Sequence, residues 1–495
     1  MNDSSRFPDP VYRDTVLSPL FEGVKEHYAG HMAQINKAHL VMLVEVGILE
    51  PDQGSAIATA LRDIDLGIDP KDLSYTGEFE DYFFLVEAEL KSRLGPDLGG
   101  MLHTARSRND IDHTVFKMAL RQRCDALLTV GRDLAASILK KARTERDTLI
   151  VAYTHGQPAQ PSTFGHYLSA ALEVLIRDLE RLANARDALD HCPMGAAAIT
   201  TSGFPVDRAR VAELLGFQDP LLNAYGCIAS VDYVTGLYSA LKLLFLHLGR
   251  VVQDMAFWSA FEVGQLYMPN ALVQISSIMP QKRNPVPLEH MRHLASATCG
   301  RCDMVVNTMH NTPFTDMNDS EGEVQAAGYT AFESGGRMLQ LMAAVISACR
   351  INAGRVRRTT DAACVTITEL ADTLVREEGL SFRQAHEIAA DTARAVIAGG
   401  SALHQGHQAF AAAFETQTGR QTRLDPERFA TAVSPEHFIE VRDRPGGPAP
   451  SAMDSAFAEY DRHINALQDR ADTAHHRVSN ATTQLDRVFD ALIPE

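Results

Sequence analysis

The sequence predicts an all-α protein with a central bundle of long helices, and three observations support this prediction. Apolar residues recur at i, i+3, i+4 and i+7 over unusually long windows. Period-2 stretches between turn residues, which a parallel α/β fold repeats, are few. Segments rich in Gly and Pro divide the 495 residues into three predicted helical domains, at 1–114, 115–365 and 366–495.

The second predicted domain, residues 115–365, contains the longest predicted helices. They cover 127–150, 167–189 and 231–261, and the last of them has a continuous apolar stripe. A helix of about 30 residues spans about 45 Å, which suits an extended bundle better than a compact α/β domain. Clusters of Gly, Pro or polar residues separate the predicted helices at 95–100, 156–161, 193–205, 269–287 and 444–450.

Composition argues against several classes of protein. The 46 Lys and Arg residues against 63 Asp and Glu give a formal net charge of −17, so no general affinity for nucleic acid or anionic membranes is expected. The chain has no run of about 18 apolar residues and no basic N-terminal segment followed by an apolar one, which predicts a cytoplasmic protein without a membrane span. Cys299 and Cys302 are interpreted as small residues on a helix, so these cysteines do not predict a metal site.

Three polar loops interrupt the helical periodicity. The first loop, residues 103–110, places Ser107, Arg108 and Asn109 in a row, a dense set of donors suited to binding carboxylates. The alternative is a helix N-cap at Asn109 or Asp110 with solvated charges. The residues of this loop alone leave both interpretations open.

The second loop, residues 153–161, contains one histidine among hydroxyl and amide side chains. His155 has an imidazole that titrates near neutrality, which suits proton transfer. A single histidine in a loop is, however, more often structural. The neighbouring candidates for binding a polar substrate are Thr154, Gln157 and Gln160.

The third loop, residues 274–285, has the most specific pattern. Ser276 and Ser277 are followed by Met-Pro, and then by Lys282 and Asn284 at alternate positions. This pattern resembles the signature loop of the fumarase/aspartase superfamily, whose members eliminate fumarate from succinyl compounds. The first two loops match the superfamily's other motifs in the expected order. The segments that most resemble its argininosuccinate lyase branch are 106–110, 204–208, 213–217, 279–284, 385–388 and 446–450.

The resemblance implies an assembly and a reaction. The assembly is a homotetramer around the long central helices, with each active site built from three subunits. The reaction is the reversible elimination of fumarate from an N-substituted aspartate, without a metal or cofactor. The expected ligands are therefore fumarate and an amine.

The same resemblance implies a role for each motif residue. Ser276 is the expected base. Removing a proton from the carbon beside a substrate carboxylate leaves an aci-carboxylate, which carries an extra negative charge. Lys282 and Asn284, with the backbone amides of their loop, are expected to stabilise that charge. They are also expected to stabilise the alkoxide of Ser276, because a serine hydroxyl is a poor base near neutrality. His155 is expected on the side that protonates the leaving nitrogen. The residues expected to bind the substrate are Ser107, Arg108, Asn109, Thr154, Gln157, Gln160, Ser277 and Asn284.

The sequence departs from the branch's usual pattern mainly where the amine is bound. Ala105 and Ile275 replace two glycines, and Phe314, Asp319 and Gly322 stand where the branch has Tyr, Gln and Lys to bind arginine. We therefore predict an aminopolycarboxylate substrate such as ethylenediamine-N,N′-disuccinate, with argininosuccinate as the alternative. A structural relative without turnover is the hypothesis from another class, and the complete set of catalytic motif residues argues against it.

Overall fold

The computed structural model describes residues 7–494. Of the structure, 71% is helical, and the strands within the described residues are short and pair two by two. The predicted all-α fold class is confirmed. Across residues 7–494, no helix combines the length and the apolar character that crossing a membrane requires.

The helices vary widely in length, and short 3₁₀ and π turns join several of them. They are α1 (Pro10–Tyr12), α2 (Ser18–His27), α3 (Ala29–Glu45), α4 (Pro51–Gly67), α5 (Tyr82–Leu94), α6 (Pro96–Gly100), α7 (Arg108–Thr144), α8 (Phe164–Asp187), α9 (Arg208–Leu214), α10 (Ala224–Ala229), α11 (Asp232–Ser259), α12 (Val286–Thr308), α13 (Gly322–Ala348), α14 (Ala353–Ala362), α15 (Ile367–Glu378), α16 (Phe382–Gly399), α17 (His407–Thr418), α18 (Pro426–Ala432), α19 (Pro435–Glu440) and α20 (Pro450–Asp490).

Across residues 7–494 the strands form four two-stranded sheets, of which only the β3–β4 sheet is parallel. The pairs are β1 (Leu149–Thr154) with β2 (Gln157–Thr163), β3 (His191–Cys192) with β4 (Asp219–Pro220), β5 (Leu266–Tyr267) with β8 (Arg350–Ile351), and β6 (Gln274–Ile275) with β7 (Arg283–Asn284).

The three long helices predicted for the central bundle are present as α7, α8 and α11, and both boundaries of the first were wrong. Helix α7 begins at Arg108, well before the predicted start at residue 127. The predicted helix over 127–150 ends at Thr144, and the chain enters strand β1 at Leu149. Pro158 and Pro161 follow on the partner strand and exclude a helix there. The segment predicted as a loop between two helices is therefore a β-hairpin.

The central bundle consists of α7, α8, α11, α12 and α13, which pack against one another side by side. Two glycines of α13 leave room for aromatic side chains that extend from α11. An added Cβ at Gly328 would lie 2.1 Å from the Tyr238 hydroxyl, and one at Gly335 would lie 2.5 Å from Cζ of Phe245. Both aromatic side chains are fully buried on α11. A side chain at either glycine would therefore displace one of these aromatic rings.

The described residues form two large, separate apolar cores. The main core includes side chains from α2 to α13, and the last helix, α20, returns to it through Met453, Phe457 and Phe489. A second core is built from residues between Cys364 and Val433. The domain boundaries at residues 114 and 365 stay predictions.

Candidate active site

The first loop leads into the N-terminus of α7, where Ser107 is the N-cap. The Ser107 hydroxyl accepts from the backbone N–H of Asn109 at 3.4 Å, and the Asp110 carboxylate accepts from the N–H of Ser107 at 2.9 Å. The N-cap predicted at Asn109 or Asp110 was therefore placed two or three residues too late. A Ser-x-x-Asp sequence is a variant of the capping box, and this signal was visible in the sequence.

Asp110 connects the first loop to the loop before α9 through hydrogen bonds. Its side chain is fully buried, and its second oxygen accepts from the N–H groups of Gly195 and Ala197, both at 2.9 Å. Burial raises the pKa of Asp110 to about 6, while the three N–H donors act in the opposite direction. In the same way the amide of Asn109 donates to the Ala198 carbonyl at 3.1 Å.

Arg108, a predicted carboxylate-binding residue, is paired with two carboxylates of the protein. Its Nη1 lies 3.0 Å from Glu80 and its Nε lies 3.0 Å from Asp81. The Arg108 side chain is about one-third exposed, so a substrate carboxylate can reach it only beside these partners. Ala105, which stands where the resemblance has glycine, adopts the left-handed conformation with φ of 62°.

The second loop is the turn of the β1–β2 hairpin. Thr154 pairs with Gln157, and the two central residues, His155 and Gly156, have φ angles of 55° and 74°. Positive φ at both positions is typical of the type I′ turn that two-residue hairpins favour. Thr154, His155, Gln157 and also Gln160 are exposed, so all four predicted residues of this loop are accessible to solvent.

A buried glutamine that the sequence analysis did not identify fixes the base of this hairpin. Gln265 is 2% exposed and makes two hydrogen bonds to Val151 on β1. Its Oε1 accepts from the Val151 N–H at 3.1 Å, and its Nε2 donates to the Val151 carbonyl at 3.2 Å. These two hydrogen bonds take the place of those that a neighbouring strand would make to the backbone of Val151. No local pattern around residue 265 indicates a contact of this kind.

The third loop is the tip of a second hairpin, formed by β6 and β7. The Ser276 hydroxyl accepts from the Met279 N–H at 3.1 Å, and Lys282 N–H donates to the Met279 carbonyl at 2.9 Å. Arg283 anchors the base of the hairpin by donating to the Met268 carbonyl at 2.7 Å. Ser276 and Asn284 are half-buried, whereas Ser277 and Lys282 are exposed.

Apolar side chains in the third loop are unusually exposed. Ile275 is 71% exposed and Ile278 is 83% exposed, both next to the two serines. Within the described residues, no hydrogen bond or ion pair connects any two of the three loops. Within the described residues, the three sets of predicted residues are therefore not joined to one another by direct polar contacts.

A group of titratable residues beside Arg108 was missed by the sequence analysis. A ring nitrogen of His113 and carboxylate oxygens of Asp316 and Glu321 lie within 4.8 Å of one another. These donor types are also those that divalent metal ions accept. A visible signal was the pair Asp112-His113, two polar residues in succession on a helix that is otherwise largely buried at this point.

The segment 314–322, which departs from the resemblance, joins α12 to α13. Phe314 is exposed and stacks on Tyr225 with ring centroids 5.9 Å apart, and Asp319 is exposed. Gly322 has φ of 35°, and an added Cβ would lie 2.4 Å from Cδ2 of Leu20. The lysine of the resemblance would not fit at this position without a shift of Leu20.

Replacing Gly322 by alanine is expected to destabilise the fold by about 1–3 kcal/mol, because the new methyl group overlaps Leu20 and the backbone angle is unfavourable. Gly336→Ala on the same helix is the matched control, since its nearest neighbour, Leu127, would be 3.8 Å away. Alanine there is expected to be neutral or stabilising. Thermal and denaturant unfolding of both variants measure the difference, and equal stability would contradict the proposed overlap.

Two family models match this chain. The model described as lyase matches residues 31–300, and the model described as argininosuccinate lyase C-terminal matches residues 364–440. The second match coincides closely with the separate apolar core between Cys364 and Val433.

Individual relatives cover almost the whole chain. The protein named argininosuccinate lyase 2 of Agrobacterium fabrum is 58% identical over 492 residues, which are 99% of this chain and 98% of that one. Argininosuccinate lyase 1 of Shouchella clausii is 32% identical over 96% of this chain and 94% of that one. The crystal structure of EDDS lyase in complex with formate superposes with a TM-score of 0.85 at 26% identity, over 98% of this chain and 96% of that one.

Proposed function

This chain belongs to the lyase family that includes the argininosuccinate lyases, as a fumarate-releasing carbon–nitrogen lyase, and from that premise we propose that its substrate is argininosuccinate, which it splits into arginine and fumarate. The observation that supports this substrate most is the 58% identity with argininosuccinate lyase 2 over nearly the whole of both chains.

This proposal reverses the order in which the sequence analysis placed the two substrates. An aminopolycarboxylate adds carboxylates to the amine half of the substrate, where Asp316 and Glu321 already lie close together. Like charges in a partly buried site repel. The substitutions at Phe314, Asp319 and Gly322 and the likeness to EDDS lyase keep ethylenediamine-N,N′-disuccinate as the second candidate.

A direct comparison of the two substrates tests the proposal. Purified protein is incubated separately with argininosuccinate and with ethylenediamine-N,N′-disuccinate, and fumarate formation is followed by its absorbance. We expect kcat/KM to be higher for argininosuccinate. A tenfold preference for the aminopolycarboxylate, equivalent to about 1.4 kcal/mol, would reject argininosuccinate as the substrate.

The proposed chemistry begins with removal of a proton from the succinyl carbon by Ser276. The carbanion is stabilised as an aci-carboxylate by Lys282, Asn284 and backbone N–H groups of the third loop, because donors oriented toward developing charge are usually the largest catalytic contribution. The hairpin geometry supports this role: the Met279 N–H already points at the Ser276 oxygen at 3.1 Å, a bond that an alkoxide strengthens.

The remaining motif residues bind the substrate and complete the elimination. His155 and Thr154 act at the leaving nitrogen, which receives a proton as the C–N bond breaks. The succinyl carboxylates bind at the N-terminus of α7, where the helix dipole favours negative charge. The residues proposed for these carboxylates and for further hydrogen bonds are Ser107, Arg108, Asn109, Gln157, Gln160 and Ser277.

The lack of direct polar contacts between the three loops, within the described residues of one chain, supports an active site shared between subunits. Exposed Ile275 and Ile278 on the third loop suit burial against a neighbouring copy of the chain. We therefore keep the homotetramer with three-subunit active sites as part of the proposal. A cytoplasmic location likewise stays a prediction.

Mixing two inactive variants is expected to restore activity if the site is shared. Ser276→Ala and His155→Asn subunits are dissociated, combined in equal amounts and reassociated. Because the two residues come from different subunits, about a quarter of the sites in randomly mixed oligomers contain both intact residues. Reassociated single variants serve as controls, and mixed oligomers without recovered fumarate release would place Ser276 and His155 of one chain in the same site.

A further inference from the structure

A cleft of about 470 Å³ lies between α3, α7 and α20, and none of its lining residues belongs to the three motif loops. Side chains between Met118 and Arg132 on α7 form one wall, and side chains between Ala471 and Leu485 on α20 form another. Cavities that bind small molecules have volumes of about 300–1,000 Å³. The cleft is therefore large enough for a small ligand.

Most charged groups that line the cleft already have partners within the chain. The Arg121 guanidinium donates to two backbone carbonyls at 3.0 and 3.1 Å, and the two carboxylate oxygens of Asp125 accept from Arg186 at 2.6 and 3.0 Å. Burial lowers the pKa of His31 to about 4, so its imidazole is neutral near pH 7. Arg132 is different.

Arg132 has unused hydrogen-bond donors. Its Nη2 donates to the Thr129 hydroxyl at 3.3 Å, whereas Nε and Nη1 are buried and have no hydrogen-bond partner within residues 7–494. Across the same residues, no carboxylate forms an ion pair with Arg132. Leaving buried donors of a charged group unpaired is costly. A ligand with an anionic acceptor would remove this cost.

Asp472 of α20 stands at the position that corresponds to Arg132. Helices α7 and α20 are antiparallel, and Arg143 of α7 pairs with Asp461 of α20. Arg132 lies eleven residues before Arg143, and Asp472 lies eleven residues after Asp461. Eleven residues make about three helical turns, so Arg132 and Asp472 occupy the same helix faces as the formed pair and the same level along the two helices.

The cleft lies where this second pair would form. The Asp472 carboxylate accepts from the Gln468 amide at 2.7 Å, and in the part of the chain that the structure describes it is in no ion pair with Arg132. Both side chains line the cleft. A molecule that joins them must present a carboxylate to Arg132 and a cationic group to Asp472.

We propose that this cleft binds a free α-amino acid, with its carboxylate on Arg132 and its ammonium group on Asp472. Ala126, Ala471 and Val478 also line the cleft, within about two helical turns of the charged residues. Their small or apolar side chains suit an uncharged side chain on the ligand. The inference does not depend on the proposed function, because it uses no residue of the motif loops.

Three ligands of nearly the same shape test the requirement for both charges. Leucine carries the carboxylate and the ammonium group, 4-methylpentanoate carries only the carboxylate, and 3-methylbutan-1-amine carries only the ammonium group. Each is titrated into the full-length protein and followed by calorimetry. We expect a Kd below about 1 mM for leucine and binding at least tenfold weaker for the other two, because each leaves one charged group of the cleft without a partner.

Variants of the two charged residues are expected to weaken binding of leucine and to leave fumarate release unchanged. Arg132→Gln and Asp472→Asn should each raise the Kd for leucine at least tenfold, which corresponds to about 1.4 kcal/mol. Arg143→Gln is the matched control, since it removes the arginine of the formed pair on the same two helices. Because Asp472 is exposed, its variant is expected to fold even if Arg132→Gln does not.

Four results would overturn the inference. Leucine binding that Asp472→Asn and Arg132→Gln both retain would place the binding site elsewhere. Equal affinity for leucine and 4-methylpentanoate would show that the ammonium group is not recognised. A loss in Arg143→Gln as large as in the cleft variants would indicate a general effect on the packing of α20. Absence of binding by leucine at millimolar concentration would show that the cleft does not bind amino acids of this kind.

Discussion

Replacing Ser276 by alanine is expected to lower kcat for fumarate release by about 10²–10⁴-fold or more, because the base that starts the elimination is lost. Ser276 lies at the tip of the β6–β7 hairpin, and its hydroxyl makes one hydrogen bond, to the Met279 N–H. Stability and assembly should therefore change little. Steady-state kinetics with argininosuccinate, together with thermal unfolding and gel filtration, measure the three quantities.

Ser277→Ala is the matched comparison, since it removes the same group from the next residue of the same loop. We expect a smaller loss for Ser277→Ala, because that residue is proposed to bind substrate and not to remove the proton. A Ser276→Ala enzyme that keeps half of its activity would refute the assignment. A much larger loss in Ser277→Ala would transfer the role of base to Ser277.

Replacing Asp110 by alanine is expected to destabilise the protein by about 3 kcal/mol or more, the largest effect on stability that we predict. Its carboxylate is fully buried and accepts from the N–H groups of Ser107, Gly195 and Ala197. Each buried donor left without a partner costs about 1–3 kcal/mol. Because Ser107 and Ala197 are held near each other through these bonds, binding of the succinyl half should weaken as well.

Asp207→Ala is the control for the loss of Asp110. Asp207 is an exposed N-cap of α9 whose carboxylate accepts from the Arg210 N–H at 2.9 Å. Removing such a cap costs typically about 1 kcal/mol. Denaturant unfolding above pH 7, where Asp110 is ionised, compares the two variants. A loss for Asp110→Ala no greater than that for Asp207→Ala would show that the three donors find other partners.

The positions of the motif residues illustrate which local structure follows from sequence. The helical periodicity of α8 and α11 was sufficient for their boundaries to be predicted to within a few residues. The hairpin around His155 was not recognised, because a β1–β2 pair of this length is stabilised by contacts outside it. Val151 is buried against Val356 and Val365, and Gln265 bonds to its backbone.

The amino-acid sequence by itself determined the all-α fold class, the lyase family and the three motif loops. Periodicity and motifs are local, so each can be recognised within a few turns of chain. Only the tertiary structure decided that Asp110 binds the backbone at Gly195, and that Asp112 and His113 lie beside Asp316 and Glu321. These residues are far apart in sequence. Their proximity depends on how α7 and α13 pack, which no local pattern specifies.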